Sequence, residues 1–132
     1  MIVDSSALIA IVLSEPEEPV MLDALIRAAS PKISAVTWFE SHLVVEGMQQ
    51  DAIAQVRFHD LLDSLHLEIV AVDEELARIA RTANLRYGRG RHHPARLNFG
   101  DCFSYALAKQ TGEPLLFKGN DFRQTDIVSA LP

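Results

Sequence analysis

The sequence predicts an α/β fold, a three-layer α/β/α sandwich in which a mainly parallel sheet of four to five strands lies between two layers of helices. Short apolar runs that suit buried strands alternate with longer segments whose apolar residues recur at helical spacing. Because a helix carries the chain back across the sheet, successive strands should be parallel, and a parallel sheet is covered on both faces. The chain contains no repeat and no linker-like stretch, which predicts one domain over residues 1–132.

The predicted strands are short apolar runs bounded by turn or cap residues. In chain order they are MIV (1–3), KISAV (32–36), LEIVAV (67–72) and EPLLFKG (113–119), with a candidate edge strand in NDFRQTDIVSALP (120–132). The predicted helices cover residues 5–15, 17–30, 37–50 and 53–66, a segment after Asp73, and a segment that begins near Gly100. Asp73 should be the N-cap of its helix, because an aspartate side chain can accept from the first free backbone N–H groups.

Charge is unevenly distributed along the chain. The formal net charge of −6 argues against a protein that simply coats nucleic acid, since such binding depends on neutralising phosphates. One segment, RYGRGRHHPAR (86–96, the basic loop), contains Arg86, Arg89, Arg91 and Arg96 and no acid. These arginines either bind phosphates of an RNA substrate or pair with acids on the protein's own surface.

Cysteine content and hydropathy restrict the class of protein further. Cys102 is the only cysteine, which excludes an internal disulfide and argues against a zinc site built from thiolates. No apolar run approaches the roughly 20 residues needed to span a bilayer, and no secretory leader is recognisable. We therefore expect a cytoplasmic protein with no membrane partner.

Four acidic residues are predicted to meet at one edge of the sheet. Asp4 follows the first strand, Glu40 lies shortly after the second, and Asp121 follows the strand at 113–119. Asp101 lies in the first turn of a helix that approaches the same edge. In folds of this kind ligands collect beyond the carboxyl ends of the strands. The four acids are therefore candidate catalytic residues and metal ligands.

Glu40 carries the most information of the four. Its helix has a predicted apolar stripe formed by Val36, Phe39, Leu43, Val44, Gly47 and Met48. That stripe includes position 40, where an unpaired buried charge would be very costly. The alternative interpretation is a capping box, in which Thr37 is the N-cap and Glu40 is its N3 partner.

The other three acids also have purely structural interpretations. Asp4 could serve as an N-cap, with Ser5 and Ser6 as alternative caps. Asp101 could be an acid favoured by the helix dipole behind an N-cap at Asn98. Asp121 could be a turn residue in GNDF.

Together the acids predict a divalent metal site for phosphodiester hydrolysis. Packed carboxylates raise one another's pKa unless a positive charge lies between them, and Lys118 is the nearest basic residue in sequence. Oxygen ligands without cysteine suit Mg²⁺ or Mn²⁺. Two alternatives are weaker. A receiver-like signalling domain needs a central phosphoacceptor aspartate, which this sequence lacks, and a haloacid-dehalogenase-type phosphatase needs an acid where this sequence has Ser6.

Three segments resemble PIN-domain ribonucleases, in particular the VapC-type toxins of bacterial toxin–antitoxin pairs. They are MIVDSSALIAI (1–11), WFESHLVVE (38–46) and GRGRHHPARLNFGDCFSYALAKQTGEPLLFKGNDFRQTDI (88–127). The resemblance implies a PIN-like fold and assigns the family's acids to Asp4, Glu40, Asp101 and Asp121. It places a hydroxyl beside the metal site at Ser6. Asp121 is the weakest of these assignments, and Asn120 or Asp126 is an alternative at that position.

The resemblance also implies an activity and partners. The activity is a metal-dependent endoribonuclease that cleaves structured RNA, tRNA or rRNA, and leaves a 5′-phosphate. The partners are a second copy of the chain and a VapB-type antitoxin whose tail places an arginine or lysine among the acids. The alternative is a catalytically silent PIN-like binding module that acts through its antitoxin or RNA partner.

Overall fold

A computed structural model describes residues 1–132 as six helices around a sheet of four parallel strands, so the predicted fold class is confirmed. The strands are β1 (Ile2–Val3), β2 (Lys32–Ser34), β3 (Glu68–Val70) and β4 (Leu115–Leu116). The helices are α1 (Ser5–Val12), α2 (Glu18–Arg27), α3 (Ala35–Gly47), α4 (Ala52–Ser64), α5 (Glu74–Tyr87) and α6 (Phe99–Thr111). None of these helices combines the length and apolar character needed to cross a membrane.

The strands are ordered β3-β2-β1-β4, and every pairing is parallel. Ile2 lies opposite Lys32 on one side and Leu115 on the other. The candidate fifth strand at the end of the chain is reduced to one isolated bridge, between Leu115 and Ser129. All strands therefore end at the same edge, and the residues that follow them meet there.

Alternating residues of the short neighbouring strands β1 and β4 supply two separate cores. Ile2 and Leu115 pack into the core beneath α5 and α6, whereas Val3 and Leu116 pack into the core beneath α1 to α4. Successive side chains of a strand point to opposite faces, so even two-residue strands reach both layers. This arrangement is the predicted sandwich.

The boundary between β2 and α3 differs from the prediction. The strand ends at Ser34, and the helix begins two residues earlier than expected because the Ser34 hydroxyl caps it, accepting from the Thr37 N–H at 3.0 Å. Thr37 is therefore not the N-cap, and the predicted capping box with Glu40 is wrong. The predicted caps at Asp4, Asp73 and Asn98 are present.

The buried face of α3 was also predicted incorrectly. Thr37, Ser41 and Val45 are buried, whereas most of the predicted apolar stripe faces solvent; Phe39 and Leu43 are more than half exposed. Small hydroxyl side chains can occupy a buried helix face when each is hydrogen-bonded, and the hydroxyls of Thr37 and Ser41 both are. Hydrophobic periodicity alone does not recognise such a face.

Candidate active site

The four predicted acids lie around the carboxyl edge of the sheet, and we term them the acid cluster. Asp4 is the N-cap of α1, directly after β1, and Glu40 lies in the second turn of α3. Asp101 is in the first turn of α6, and Asp121 precedes a 3-10 turn (Phe122–Gln124) that follows β4. The charges of the other three acids all act on Asp101, which indicates that the four share one electrostatic environment.

Asp4 is the most buried member, with 1% of its surface exposed. One carboxylate oxygen accepts from the Ser6 N–H at 3.0 Å and from the Ser6 hydroxyl at 2.6 Å, and the other accepts from the Ser104 hydroxyl at 2.5 Å. Three donors compensate a buried carboxylate for much of the water it has lost. The side chain is therefore held in one orientation.

A buried chain of hydroxyls extends from Asp4 into the protein. The Ser104 hydroxyl, which donates to Asp4, lies 3.1 Å from the Thr37 hydroxyl, which in turn lies 2.9 Å from that of Ser34. These residues come from α6, α3 and the end of β2, so the chain connects three of the elements that surround the site. The sequence signal for this chain of hydroxyls is the presence of serine and threonine on the helices that carry the candidate acids.

Ser6 connects the ends of the neighbouring strands β1 and β4. Its hydroxyl donates to Asp4 and accepts from the Lys118 backbone N–H at 3.0 Å. The predicted hydroxyl therefore does lie beside an acid of the cluster, and it fixes the end of β4 relative to the end of β1.

Glu40 is enclosed by α1 and α6. The Ser5 hydroxyl donates to its carboxylate at 3.0 Å. Burial raises the pKa of Glu40, the Ser5 hydrogen bond lowers it in part, and the negative charge of Asp4 raises it further. Gly100 lies so close that a Cβ atom there would overlap the Glu40 carboxylate, so α6 begins directly against this acid.

Asp101 has both a structural contact and a strongly shifted pKa. It forms a capping box with Asn98. The Asp101 carboxylate accepts from the Asn98 N–H at 2.8 Å, and the Asn98 side-chain oxygen accepts from the Asp101 N–H at 2.8 Å. Burial raises the pKa of Asp101 to about 7; the hydrogen bond from the Asn98 N–H lowers it in part, and the charges of Asp4, Glu40 and Asp121 raise it further. Near pH 7 the Asp101 carboxyl group would therefore be protonated in about half of the molecules.

No side-chain cation of the protein reaches the acid cluster. None of its four carboxylates forms a salt bridge, and the Lys118 ammonium contacts Glu15 and Glu17 instead. No three His, Cys, Asp or Glu side chains lie close enough together to enclose an ion directly. The cluster is therefore a set of oxygen donors with unneutralised charge, not a closed ligand cage.

Asp126, an alternative to Asp121, belongs to a different part of the molecule. Its carboxylate accepts from the hydroxyl of Tyr105 at 2.7 Å and from that of Tyr87 at 3.3 Å, and it pairs with Lys109 at 3.1 Å. We term these residues the Asp126 cluster. Asn120, the other alternative, is exposed in the turn beside Asp121.

The basic loop is anchored at its ends. Tyr87, Ala95 and Leu97 are buried. Two backbone hydrogen bonds close the loop's base: the Arg89 N–H donates to the Leu97 carbonyl at 3.0 Å, and the Leu97 N–H donates to the Tyr87 carbonyl at 2.9 Å. Arg86 approaches an acid, Asp126, at 3.9 Å.

The other arginines of the basic loop, Arg89, Arg91 and Arg96, are exposed and pair with no acid. The alternative of arginines neutralised by surface acids therefore holds for Arg86 alone.

A parallel α/β/α sandwich with acids at its carboxyl edge is the architecture of a PIN domain, and the PIN domain family model matches residues 1–128. Ribonuclease VapC42 of Mycobacterium tuberculosis is 46% identical over 127 residues, which cover 96% of each chain. The chain therefore belongs to the PIN-domain family and, within it, to the VapC ribonucleases.

Two solved structures share the fold. The M. tuberculosis toxin VapC20, described as cleaving the sarcin-ricin loop, superposes with a TM-score of 0.73 at 15% identity and covers 96% of this chain and 95% of its own. A chain of a toxin–antitoxin complex from Klebsiella pneumoniae gives 0.65 at 20% identity, covering 92% and 88%. At these identities the likeness concerns the fold.

Proposed function

We propose that this protein is a divalent-metal-dependent endoribonuclease that acts as the toxin of a toxin–antitoxin pair. The observation that carries the proposal is the acid cluster: carboxylates from four segments, of which Asp4 is buried, lie at one edge of the sheet without a salt bridge to any protein cation, and the pKa of Asp101 is raised to about 7. Membership of the VapC ribonucleases supports the reaction class. Such a cluster needs positive charge to become fully ionised.

Mg²⁺ or Mn²⁺ fits the donors of the acid cluster. All of them are carboxylate oxygens, which these ions prefer, and no thiolate or imidazole competes. Asp4, Glu40 and Asp101 are the proposed ligands, directly or through water, because Mg²⁺ commonly binds through one or two carboxylates and keeps several waters. Asp121, which is exposed, is the proposed residue that orients the attacking water or assists a second ion.

The bound ion would supply charge neutralisation and an acidified water. The protein's own residues provide position and proton transfer. Ser6 and Ser104 fix the Asp4 carboxylate, and Asn98 fixes one oxygen of Asp101 while leaving the other available. A carboxylate of the cluster accepts the proton of the water that attacks phosphorus, and the cleaved strand keeps a 5′-phosphate.

RNA is the proposed substrate, with tRNA or rRNA as its class. Arg89, Arg91 and Arg96 offer bidentate phosphate contacts outside the acid cluster, which would itself repel an RNA backbone. This division of charge supports a substrate held at one place and cut at another.

The proposed partners are a second copy of the chain and a VapB-type antitoxin, and the proposed location is the cytoplasm. A lysine or arginine of the antitoxin placed among the acids would neutralise them as a metal does. The exposed apolar side chains on α3 supply surface that a partner could cover.

The decisive experiment compares Asp4→Asn and Asp101→Asn with the unchanged chain in cleavage of total tRNA and rRNA with Mg²⁺, Mn²⁺ or EDTA. We expect both variants and the EDTA reaction to lose cleavage, with circular dichroism confirming that the variants are folded. Sequencing of 5′-phosphate ends would identify the cut sites. Cleavage by folded variants at the original rate would reject the site, and activity that survives EDTA would favour the silent binding module and a contaminating nuclease.

A further inference from the structure

A groove between α5 and α6 lies next to the acid cluster, and apart from Arg89 at its rim it has no role in the function proposed above. Its volume is about 460 Å³, which is within the range of small-ligand sites. Asn98 lines it, and the backbone of Asn98 holds Asp101 through the capping box. Whatever occupies this groove therefore lies within one helical turn of a proposed metal ligand.

The α5–α6 groove is lined by an aromatic pair in which Phe99 is exposed and Phe103 is partly buried. Phe99 is 75% exposed, and its ring centroid is 5.1 Å from that of Phe103 in an edge-to-face arrangement. Phe99 differs from other exposed apolar residues, such as Ile53, because it is aromatic and lies beside a groove. The exposed face of Phe99 is flat and apolar.

The charged residues of the groove are all positive. Arg81 from α5 and Arg89 from the basic loop line it, and neither forms a salt bridge. Both arginines therefore remain available to an anion from outside the chain. The charge complement of this rim is an anion, and the complement of Phe99 is a flat ring.

We propose that the α5–α6 groove binds an unpaired nucleotide of the RNA substrate, with its base stacked on Phe99 and the adjoining phosphates on Arg81 and Arg89. A nucleotide combines a flat π-face with an adjoining anion, which matches both features of the groove. Base–aromatic stacking holds unpaired bases in many RNA-binding proteins, and arginine supplements it. This inference rests on the proposed function, and it makes Phe99 a substrate-positioning residue that selects for RNA with a base free to leave its stack.

The groove's cysteine does not suggest a different chemistry. Cys102 lines the groove, but burial, assisted by the charge of Asp101, raises the pKa of its thiol to about 11. The thiol is therefore neutral at physiological pH and lacks the nucleophilic form. An occupant of this groove is held by stacking and charge.

The test measures binding separately from cleavage. RNA oligonucleotides that carry 2-aminopurine at one unpaired position are titrated with the Asp4→Asn chain and, independently, with the unchanged chain in EDTA. We expect stacking to quench the 2-aminopurine fluorescence, and Phe99→Ala to weaken binding about 10-fold and abolish the quench. Phe99→Trp should keep both, because it keeps an aromatic face.

Two controls show whether the effect arises from the base. Ile53→Ala on α4 removes a comparably exposed apolar side chain, 74% exposed, in the other helical layer, and should change nothing. An oligonucleotide that is abasic at the probe position should bind the Phe99→Ala and unchanged chains equally.

Three results separate this inference from the proposed function. Equal affinity of the Phe99→Ala and unchanged chains for the 2-aminopurine probe overturns the groove assignment while cleavage stands. Loss of self-association or antitoxin binding in Phe99→Ala, with RNA binding intact, also overturns it and assigns the ring to a protein interface. Base-dependent binding by the unchanged chain, if that chain cleaves no RNA with Mg²⁺ or Mn²⁺, supports the groove and rejects the catalytic proposal.

Discussion

Asp101 lies in the first turn of α6, and Asp126 contacts Tyr105 and Lys109 further along the same helix. The pKa values of the two carboxylates are shifted in opposite directions. Asp126 receives hydrogen bonds from Tyr105 and Lys109, which outweigh its partial burial and lower its pKa to about 2. Burial and the other acids raise the pKa of Asp101 to about 7. The same chemical group is thus stabilised as an anion in one cluster and destabilised as an anion in the other.

Burial raises the pKa of both acids and so does not distinguish them; only Asp126 has a cation and hydroxyl donors that reverse the effect. The Asp126 cluster contains its own cation and two hydroxyl donors, which makes it a completed structural contact. The acid cluster has hydroxyl donors but no cation, so its electrostatics are completed only by something from outside the chain. The first arrangement is typical of a tie between segments, and the second of a binding site.

The largest expected effect comes from giving the acid cluster a cation of its own. Asp121→Lys would place an ammonium near Asp101, as Lys109 is placed near Asp126. We expect the Mg²⁺-dependent cleavage rate to fall about 100-fold or more, because the lysine competes with the ion for the carboxylates. Asp121→Asn is the matched control and should cost less, since it removes a charge without adding the opposite one.

Next in size is the converse change, Asp126→Asn. Removing the charged acceptor leaves Lys109 and the two tyrosine hydroxyls with weaker partners, and the free energy of unfolding should fall by about 1 kcal/mol, a value reduced for partial exposure. Chemical denaturation measures the change. RNA cleavage by the folded variant should remain, and its loss would show that the two clusters are not independent.

A smaller effect should appear in how stability depends on pH. Without metal, folded Asp101 binds its proton with a pKa of about 7, far above the ordinary value of 3.8, so between those values the folded state holds more protons than the unfolded state. Lowering the pH from 7 towards 4 therefore stabilises the fold through this group. Asp126 acts in the opposite direction, because its stabilisation is lost as the pH falls from about 4 towards 2.

Denaturation of Asp101→Asn and Asp126→Asn in EDTA would separate these two pH ranges. Asp101→Asn should remove the gain on acidification between pH 7 and 4, and Asp126→Asn should remove the loss below pH 4. Identical pH profiles for Asp101→Asn and the unchanged chain would contradict the shifted pKa.

The smallest effect concerns the arginines of the basic loop. Arg86 lies 3.9 Å from Asp126, whereas Arg91 has no acidic partner. Arg91→Ala should lower the slope of log binding constant against log salt by about 1, and Arg86→Ala should lower it less, because its charge is partly neutralised. Titrations of a tRNA at several salt concentrations measure both slopes. Slopes equal to that of the unchanged chain would place the basic loop outside the RNA interface.

Sequence patterns predicted those features that depend on neighbouring residues. The caps at Asp4 and Asp73 and the positions of the strands follow from local signals, and acids directly after parallel strands must share an edge. The position of Glu40 was predicted, although the argument for it was wrong, because its helix buries hydroxyls instead of the apolar stripe.

Contacts between distant residues left no comparable signal. The bond from Ser104 to Asp4 joins residues 100 positions apart, and the ties of Asp126 to Tyr87 and Tyr105 depend on how the final segment crosses α5 and α6. Buried serines and threonines on helices that carry candidate acids are the residues in which such contacts could have been sought.

Gly100 separates what the fold requires from what the site requires. A methyl group there would meet the carboxylate at the flexible end of Glu40, and no backbone atom is among the nearest contacts. Alanine would suit the helix better than glycine, by up to about 1 kcal/mol, yet it would push Glu40 out of place. The molecule gives up some helix stability so that one glutamate can remain where it is, and a thermostable variant made by replacing this glycine would be a poorer nuclease.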